Sequence, residues 1–265
     1  LSLMKMSPRT QKAFWKWWYQ RLAKSGHEEE WSFMNYGFED EDSSKHTVLE
    51  EKDEANRLFI QLYDTAATAI PINGLKVLEI GSGRGGGAAF VNHYHKPEAM
   101  VGLDYSQNAV DLATNKYNDS KTLTFTQGDA EKLDFSNESF DAVINVESSH
   151  CYASMDTFIS EVSRVLKPNA YFLFCDLRRN IYIQEVIDSI NSNGFNLISK
   201  TDISANIIEA TIRMSKDRKE AINKLNSGWF RNVLESFAGV KGSKVHQSFE
   251  DGFLQYISAY CQNIK

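Results

Sequence analysis

The sequence predicts an α/β protein built on a doubly wound sheet of seven strands, six parallel and the last antiparallel, with helical lid elements at both ends. Three observations predict it. Strand-like and helix-like patterns alternate from Leu75 to about Ser204, which implies parallel strands joined by right-handed helical crossovers. The first apolar run (Leu75, Val77, Leu78, Ile80) breaks into seven residues with five glycines, 81–87, before an amphipathic stretch. That strand, turn and helix arrangement aims free N–H groups at a ligand. After Ser204 the alternation stops, so the strand-like run from Phe253 to Cys261 has to enter the sheet antiparallel or lie at its edge.

At 265 residues the chain suits one large domain, or one domain with an added lid. Chains of this size bury about 75% of their unfolded surface, enough for a substantial core. A net charge of -6 argues against nucleic acid as the main partner. No apolar run is long enough to span a membrane and no secretory pattern is present, so stable membrane insertion is not expected. Cys151, Cys175 and Cys261 are widely spaced, without a C-x-x-C pair. They read as reduced thiols of a cytoplasmic protein rather than as disulfides or zinc ligands.

The segment up to Lys24 carries six positive charges and no acid, and Trp15, Trp18, Tyr19 and Leu22 share one helical face. A helix docked by its aromatic face, or one lying on a membrane surface, has this pattern. An acidic stretch from Glu28 to Glu54 encloses an aromatic island, Trp31 to Phe38, read as a lid over the glycine turn. A helix from about Leu49 to Thr68 buries Leu58, Leu62 and Tyr63, and Pro71 and Gly74 stop it. Strands follow near 75–80, 100–104, 122–126, 140–146, 170–176 and 195–203. Helices fit near 86–95, 106–117, 154–166 and 180–193. Residues 206–237 are again helical in pattern. Three consecutive glycines at a helix start cost about 1 kcal/mol each against alanine, which suggests a purpose other than packing.

Ligands on such a sheet sit at the carboxyl ends of the strands. Gly81, Gly83 and Gly86 satisfy the dinucleotide pattern G-x-G-x-x-G, with Asp104 about twenty residues on. Glu79, Gly81, Gly83 and Gly85 equally satisfy E-x-G-x-G-x-G, and the glycines alone do not decide between two cofactor classes. Asp104 can accept both hydroxyls of a ribose; a helix cap is its other reading, although Ser106 can serve there. Asp129 can accept from an adenine amine beside the small Ala130, and a turn aspartate is the alternative. His93 and His95, two apart on a helix, are poorly spaced for a shared metal and read as surface residues, so no metal site is expected.

With Glu79 to Gly85, Gly102-Leu-Asp104, Gly128 to Phe135, Ser139 to Val143 and Arg164 to Pro168 in order, the chain resembles the class I S-adenosylmethionine-dependent methyltransferases, whose fold is Rossmann-like. Phe33 to Gly37, His93 to Asp104, Asn145 to Tyr152 and Asp176-Leu-Arg178 look like the small-molecule O-methyltransferases of the phthiotriolone, fatty-acid and rebeccamycin-sugar types. Asn169-Ala170 departs from the usual Gly-Gly of that pattern. The resemblance implies S-adenosyl-L-methionine as cofactor, held by Tyr36, Glu79, Gly81, Gly83, Asp104, Tyr105, Asp129, Ala130, Asn145 and Glu147. It also implies an apolar small-molecule acceptor from lipid or secondary metabolism, and a homodimer is compatible with it.

Methyl transfer demands alignment and desolvation, and a hydroxyl acceptor gains from a general base. His150 is the histidine just past a strand end in the expected cleft, and Asp176 ends the next strand. An adjacent carboxylate orients an imidazole and stabilises its charged form, and the rebeccamycin-type resemblance implies the same pair of roles. A loop histidine and a helix-capping aspartate are the plain alternative. The expected organisation is one methyltransferase domain over 1–265. It comprises an N-terminal helical lid (1–70), a cofactor core (71–203), an acceptor lid (204–250) and the final strand (251–265). A carboxyl methyltransferase, a nicotinamide-dependent oxidoreductase and a non-catalytic cofactor-binding module are the competing functions.

Overall fold

The computed structural model describes residues 32–223 and 241–265. The basic aromatic helix expected before Lys24 lies outside the described residues, as do the lid positions Leu225, Trp229, Phe230, Leu234 and Phe237.

Seven strands form one sheet in the order β3-β2-β1-β4-β5-β7-β6. They are β1 (Lys76–Ile80), β2 (Ala99–Asp104), β3 (Leu123–Gln127), β4 (Phe140–Val146), β5 (Leu166–Arg179), β6 (Phe195–Asp202) and β7 (Leu254–Asn263). The pairs β1–β2, β1–β4, β2–β3 and β4–β5 are parallel. β7 enters antiparallel, and it lies between β5 and β6 rather than at the edge. The sequence order therefore reverses at β1 and β4, and a crevice opens at the carboxyl ends of those two strands.

Alternation along the strands divides the core into two layers. On β1, Val77 faces one layer, while Leu78 and Ile80 face the other. On β5, Leu173 and Cys175 join the first, and Phe172 and Phe174 the second. The second layer is covered by α4 (Met155–Val165) and α5 (Ile183–Ser192). α5 buries Ile183, Val186, Ile187 and Ile190, an i, i+3, i+4, i+7 stripe. Ser154 caps α4 by accepting from the Thr157 N–H at 3.1 Å. Ser106 caps α3 (Gln107–Lys116) by accepting from the Ala109 N–H.

The first layer is covered by α1 (Arg57–Ala67), α2 (Gly86–Phe90), α6 (Ser204–Asn223) and α7 (Lys244–Glu250). Two elements there depart from the sequence reading. The helix expected from Leu49 begins as a 3-10 turn, Glu51–Asn56, and becomes α-helical only at Arg57. Its first residues are held from outside: the Glu50 N–H donates to the Tyr94 hydroxyl, which donates to Asp53. The helix expected over 86–95 is α-helical only to Phe90 and widens into a π turn, Val91–His95, ended by Lys96 at φ 51°. That turn swings His95 inward onto Asp64 at 2.9 Å, with 19% of its side chain exposed. His95 is thus not the open surface residue that the spacing suggested, whereas His93 is half exposed and meets Glu50 at 2.7 Å.

Candidate active site

The carboxyl ends of β1, β2 and β4 and the turn after β3 surround one cavity. Its base is the β1–α2 turn, where Gly81, Gly83 and Gly85 hold φ of 82°, 52° and 81°, angles that side chains other than hydrogen disfavour. A Cβ on Gly81 would stand 2.3 Å from Ser148 Oγ, whereas one on Gly83 would enter open space. Gly83 thus presents bare backbone to the cavity. Gly86 and Gly87 answer to packing. A Cβ there would come 2.5 Å from the Ser32 carbonyl oxygen and 2.0 Å from the Tyr63 ring. A Cβ on Gly85 would likewise come 2.6 Å from the Phe125 ring, so the expectation that the run 85–87 serves something other than packing is corrected at all three positions.

Asp104 ends β2 beside the turn. Its Oδ2 accepts from the Gly83 N–H and its Oδ1 from the Ser106 N–H, each at 2.8 Å. Burial raises its pKa, against the effect of these donors. Helix capping falls to Ser106, which leaves the aspartate as the brace of the glycine turn. Tyr105, Asp129 and Ala130 line the same cavity. Asp129 Oδ1 also accepts from the Glu131 N–H at 3.0 Å, so the turn role and a cavity position coexist in one residue.

Glu147 follows β4 at φ 50°, its N–H donating to the Cys175 carbonyl. Its Oε2 accepts from the Tyr36 N–H at 2.9 Å and from the Tyr256 hydroxyl at 3.1 Å. One carboxyl therefore joins the N-terminal strap, β4 and β7 at the cavity wall. Burial pushes its pKa up to about 8. The strap itself, Ser32 to Asn35, also lines the cavity. Tyr36 stands outside the lining, its ring packed edge-on against Phe249 at 6.0 Å.

Glu79 and Asn145 sit below the cavity rather than in its wall. Both are fully buried. Asn145 Nδ2 donates to the Ile80 carbonyl at 2.8 Å and to Ser148 Oγ at 2.7 Å, tying β4 to β1 and to the loop that follows. Burial pushes Glu79 up to about 7, against the nearby Tyr63 hydroxyl. Among the described residues, neither Glu79 oxygen, nor Asn145 Oδ1, nor Ser82 Oγ has a partner at hydrogen-bond distance. Orphaned polar atoms beneath a bare backbone turn, with carboxylates at the neighbouring strand ends, suit a polar cationic nucleoside better than an apolar guest.

His150 and Asp176 come together. His150 Nδ1 meets Asp176 Oδ1 at 2.8 Å, and the His150 N–H donates to Oδ2 at 2.9 Å. The imidazole is 24% exposed and the carboxylate is fully buried. His150 rides on a 3-10 turn, Ser149–Cys151, whose neighbours Ser148, Cys151 and Tyr152 line the cavity. His150 itself is not part of that lining; its ring meets Asp176, and its charge is felt at Glu147. Burial opposes a charge on the ring, but Cys151 and Asp176 outweigh it and hold His150 well above the usual histidine range. Burial likewise opposes the charge on Asp176; His150 and Arg178 outweigh it and hold the carboxyl well below its usual range.

The sequence reading took Tyr63 only as a buried helix residue and gave Tyr152, Tyr256 and Arg178 no role in the site. Tyr152 donates to or accepts from Ser148 Oγ at 2.9 Å and closes the turn over Asn145. Arg178 has a legible signal: it lies two residues past Asp176 on a strand, hence on the same face. Tyr256 has none, because only the register opposite Leu177 brings it to Glu147.

A glycine turn braced by one strand-end carboxylate, with a second in the cavity wall, suits a nucleoside ligand on an α/β fold. Residues 78–174 match the family model of a methyltransferase domain. The chain is 34% identical to the phthiotriol/phenolphthiotriol dimycocerosates methyltransferase of Mycobacterium tuberculosis, over 96% of this chain and 93% of that one. It is 30% identical to the fatty-acid O-methyltransferase of Mycolicibacterium smegmatis, over 97% and 91% of the two chains. Its fold resembles geranyl diphosphate C-methyltransferase from Streptomyces coelicolor A3(2), solved with S-adenosyl-L-homocysteine, at a TM-score of 0.71 and 14% identity over 96% and 97% of the chains. The chain belongs to the S-adenosylmethionine-dependent methyltransferases. The cofactor is therefore S-adenosyl-L-methionine, and the dinucleotide reading of the glycine turn falls away.

Proposed function

We propose that this enzyme methylates a hydroxyl group on an apolar, lipid-like small molecule, with His150 as general base and Asp176 orienting it. The observation that carries the reading is the 2.8 Å contact between His150 Nδ1 and Asp176 Oδ1. A carboxylate at Nδ1 favours the neutral tautomer with its proton there, and in that tautomer Nε2 would take the proton from the acceptor. As that O–H bond breaks, the oxygen gains the electron density that it donates to the methyl carbon. Bound in the cavity, the cofactor supplies a methyl group on a positively charged sulfur, a charge that also disfavours the imidazolium form of the nearby ring. Two relatives support the acceptor class, since one is named for phthiotriol dimycocerosates and the other for fatty-acid O-methylation.

Asp104 is assigned to the ribose hydroxyls, Asp129 with Ala130 to the adenine amine, and the Gly81 and Gly83 backbone to the amino-acid end. Glu147 is assigned to the cofactor's ammonium from the cavity wall, where the Tyr36 N–H holds it; Tyr105 is assigned to the nucleoside beside Asp104, and Glu79 and Asn145 support the turn from below. Residues 1–70 and 204–250 are the lids of a single domain, with the core at 71–203 and the final strand at 251–265. Cytoplasmic placement is supported by three free cysteines, and no described helix is long and apolar enough to cross a membrane.

Carboxyl methylation is the second reading, favoured by the fatty-acid relative; a carboxylate needs no base. Methyl-labelled cofactor offered with matched alcohols, phenols, sugars and fatty acids separates the two. His150→Ala is expected to lower hydroxyl methylation about 10² to 10⁴-fold and to leave ester formation nearly unchanged. Undiminished hydroxyl methylation in that variant would overturn the base assignment.

A further inference from the structure

We propose that Arg178 is a positioning residue of the methyl-transfer site: it holds the turn that carries His150 and offsets part of the Asp176 charge that the imidazole meets. The inference rests on the reading of His150 as base.

Asp176 Oδ2 is shared. It lies 3.1 Å from Arg178 Nη1, and it accepts from Ser149 Oγ at 2.5 Å. Arg178 Nη2 donates to the same Ser149 Oγ at 2.7 Å, and Nη1 donates to the Leu177 carbonyl at 2.7 Å. A planar fork thus fixes both the carboxylate and the first residue of the His150 turn. Only 12% of the arginine side chain is exposed, so this charge is spent inside the protein.

The sign of the charge effect follows from the neighbours. Facing His150 are Asp176 and Arg178 from β5, Glu147 from the end of β4 with Tyr256 of β7 behind it, and Cys151 from its own turn. Arg178 is the cation of this group. A buried Asp176 acting alone would trap the ring as imidazolium, which cannot accept a proton. With the guanidinium on the other oxygen, that pull is weakened, although His150 still stands well above the usual histidine range. Arg178 thus limits how far the orienting carboxylate raises the ring.

The test compares Arg178→Gln and Arg178→Lys with the unaltered enzyme, by NMR titration of ¹³C-labelled histidine and by the pH profile of methyl transfer. The His150 resonance is identified by its loss in His150→Ala. In Arg178→Gln the imidazole midpoint is expected to rise by about one pH unit. The acid limb of the rate profile should move with it, and the rate should recover at alkaline pH. Arg178→Lys keeps the charge but loses the fork, so its midpoint should stay near that of the unaltered enzyme while its rate falls at every pH. Should the glutamine variant not fold, Arg178→Met keeps the aliphatic stem and carries the same expectation. A purely structural arginine would lower the rate without moving the titration, and that result overturns the inference. Failure of the base reading shows up separately, as hydroxyl methylation that survives His150→Ala.

Discussion

At the scale of single residues, Gly83 and Gly87 look alike in the sequence and differ in what they exclude. Gly87 makes way for the Tyr63 ring, whereas nothing stands where a Gly83 side chain would go. Gly83→Ala therefore places a methyl group in the cavity and a side chain at φ 52°. The backbone penalty is about 1 kcal/mol, so the protein should still fold. Calorimetric titration should show cofactor affinity reduced about tenfold or more, with the melting temperature only slightly lowered. Equal losses of stability and affinity would mean that Gly83 serves the turn and not the ligand. The glycine motif was legible because its spacing encodes a strand-to-helix turn. The separate purposes of its members were not, since they depend on Tyr63 and Ser32, residues distant in the chain.

At the scale of elements, the Glu147 carboxyl is the joint between strap, sheet and β7. Its folded pKa of about 8 stands above the ordinary 4.5. The folded state therefore holds the neutral acid more tightly than the unfolded chain does. That contribution is complete below about pH 4.5 and disappears as the pH rises through about 8. Glu147→Gln imitates the neutral acid and does not titrate. Between pH 5 and 9, thermal unfolding should show the unaltered protein losing on the order of a few kcal/mol relative to the glutamine variant; parallel curves would refute this. The same joint marks a limit of reading by pattern. The island Trp31 to Phe38 was recognisable by its aromatics, but its attachment uses the Tyr36 backbone N–H, which no composition reveals. The π turn at Val91–His95 escaped for a related reason, because tertiary bonds from Tyr94 and His95 override a helical periodicity.

At the scale of the whole molecule, strand alternation and the late strand-like run were enough to anticipate seven strands with one reversed. The sequence was silent on the place of β7, whose antiparallel pairing runs from Arg179↔Leu254 to Tyr171↔Gln262 on one side and along β6 on the other. Because β7 stitches the C-terminal residues into the sheet, lids and core should melt together. Calorimetry should give one transition with matching calorimetric and van't Hoff enthalpies; two resolved transitions would speak for a separately folding lid. The stitching also has a consequence during synthesis. Among the described residues β6 pairs with β7 alone, so on the ribosome it waits as an orphan strand until residues 254–263 emerge. Tyr256 travels on that strand, and the nascent chain thus cannot finish the wall beside Glu147 before β7 emerges. A stalled or truncated product would carry unpaired strand edges and an unfinished pocket, a species for chaperones and proteases rather than a partly working catalyst.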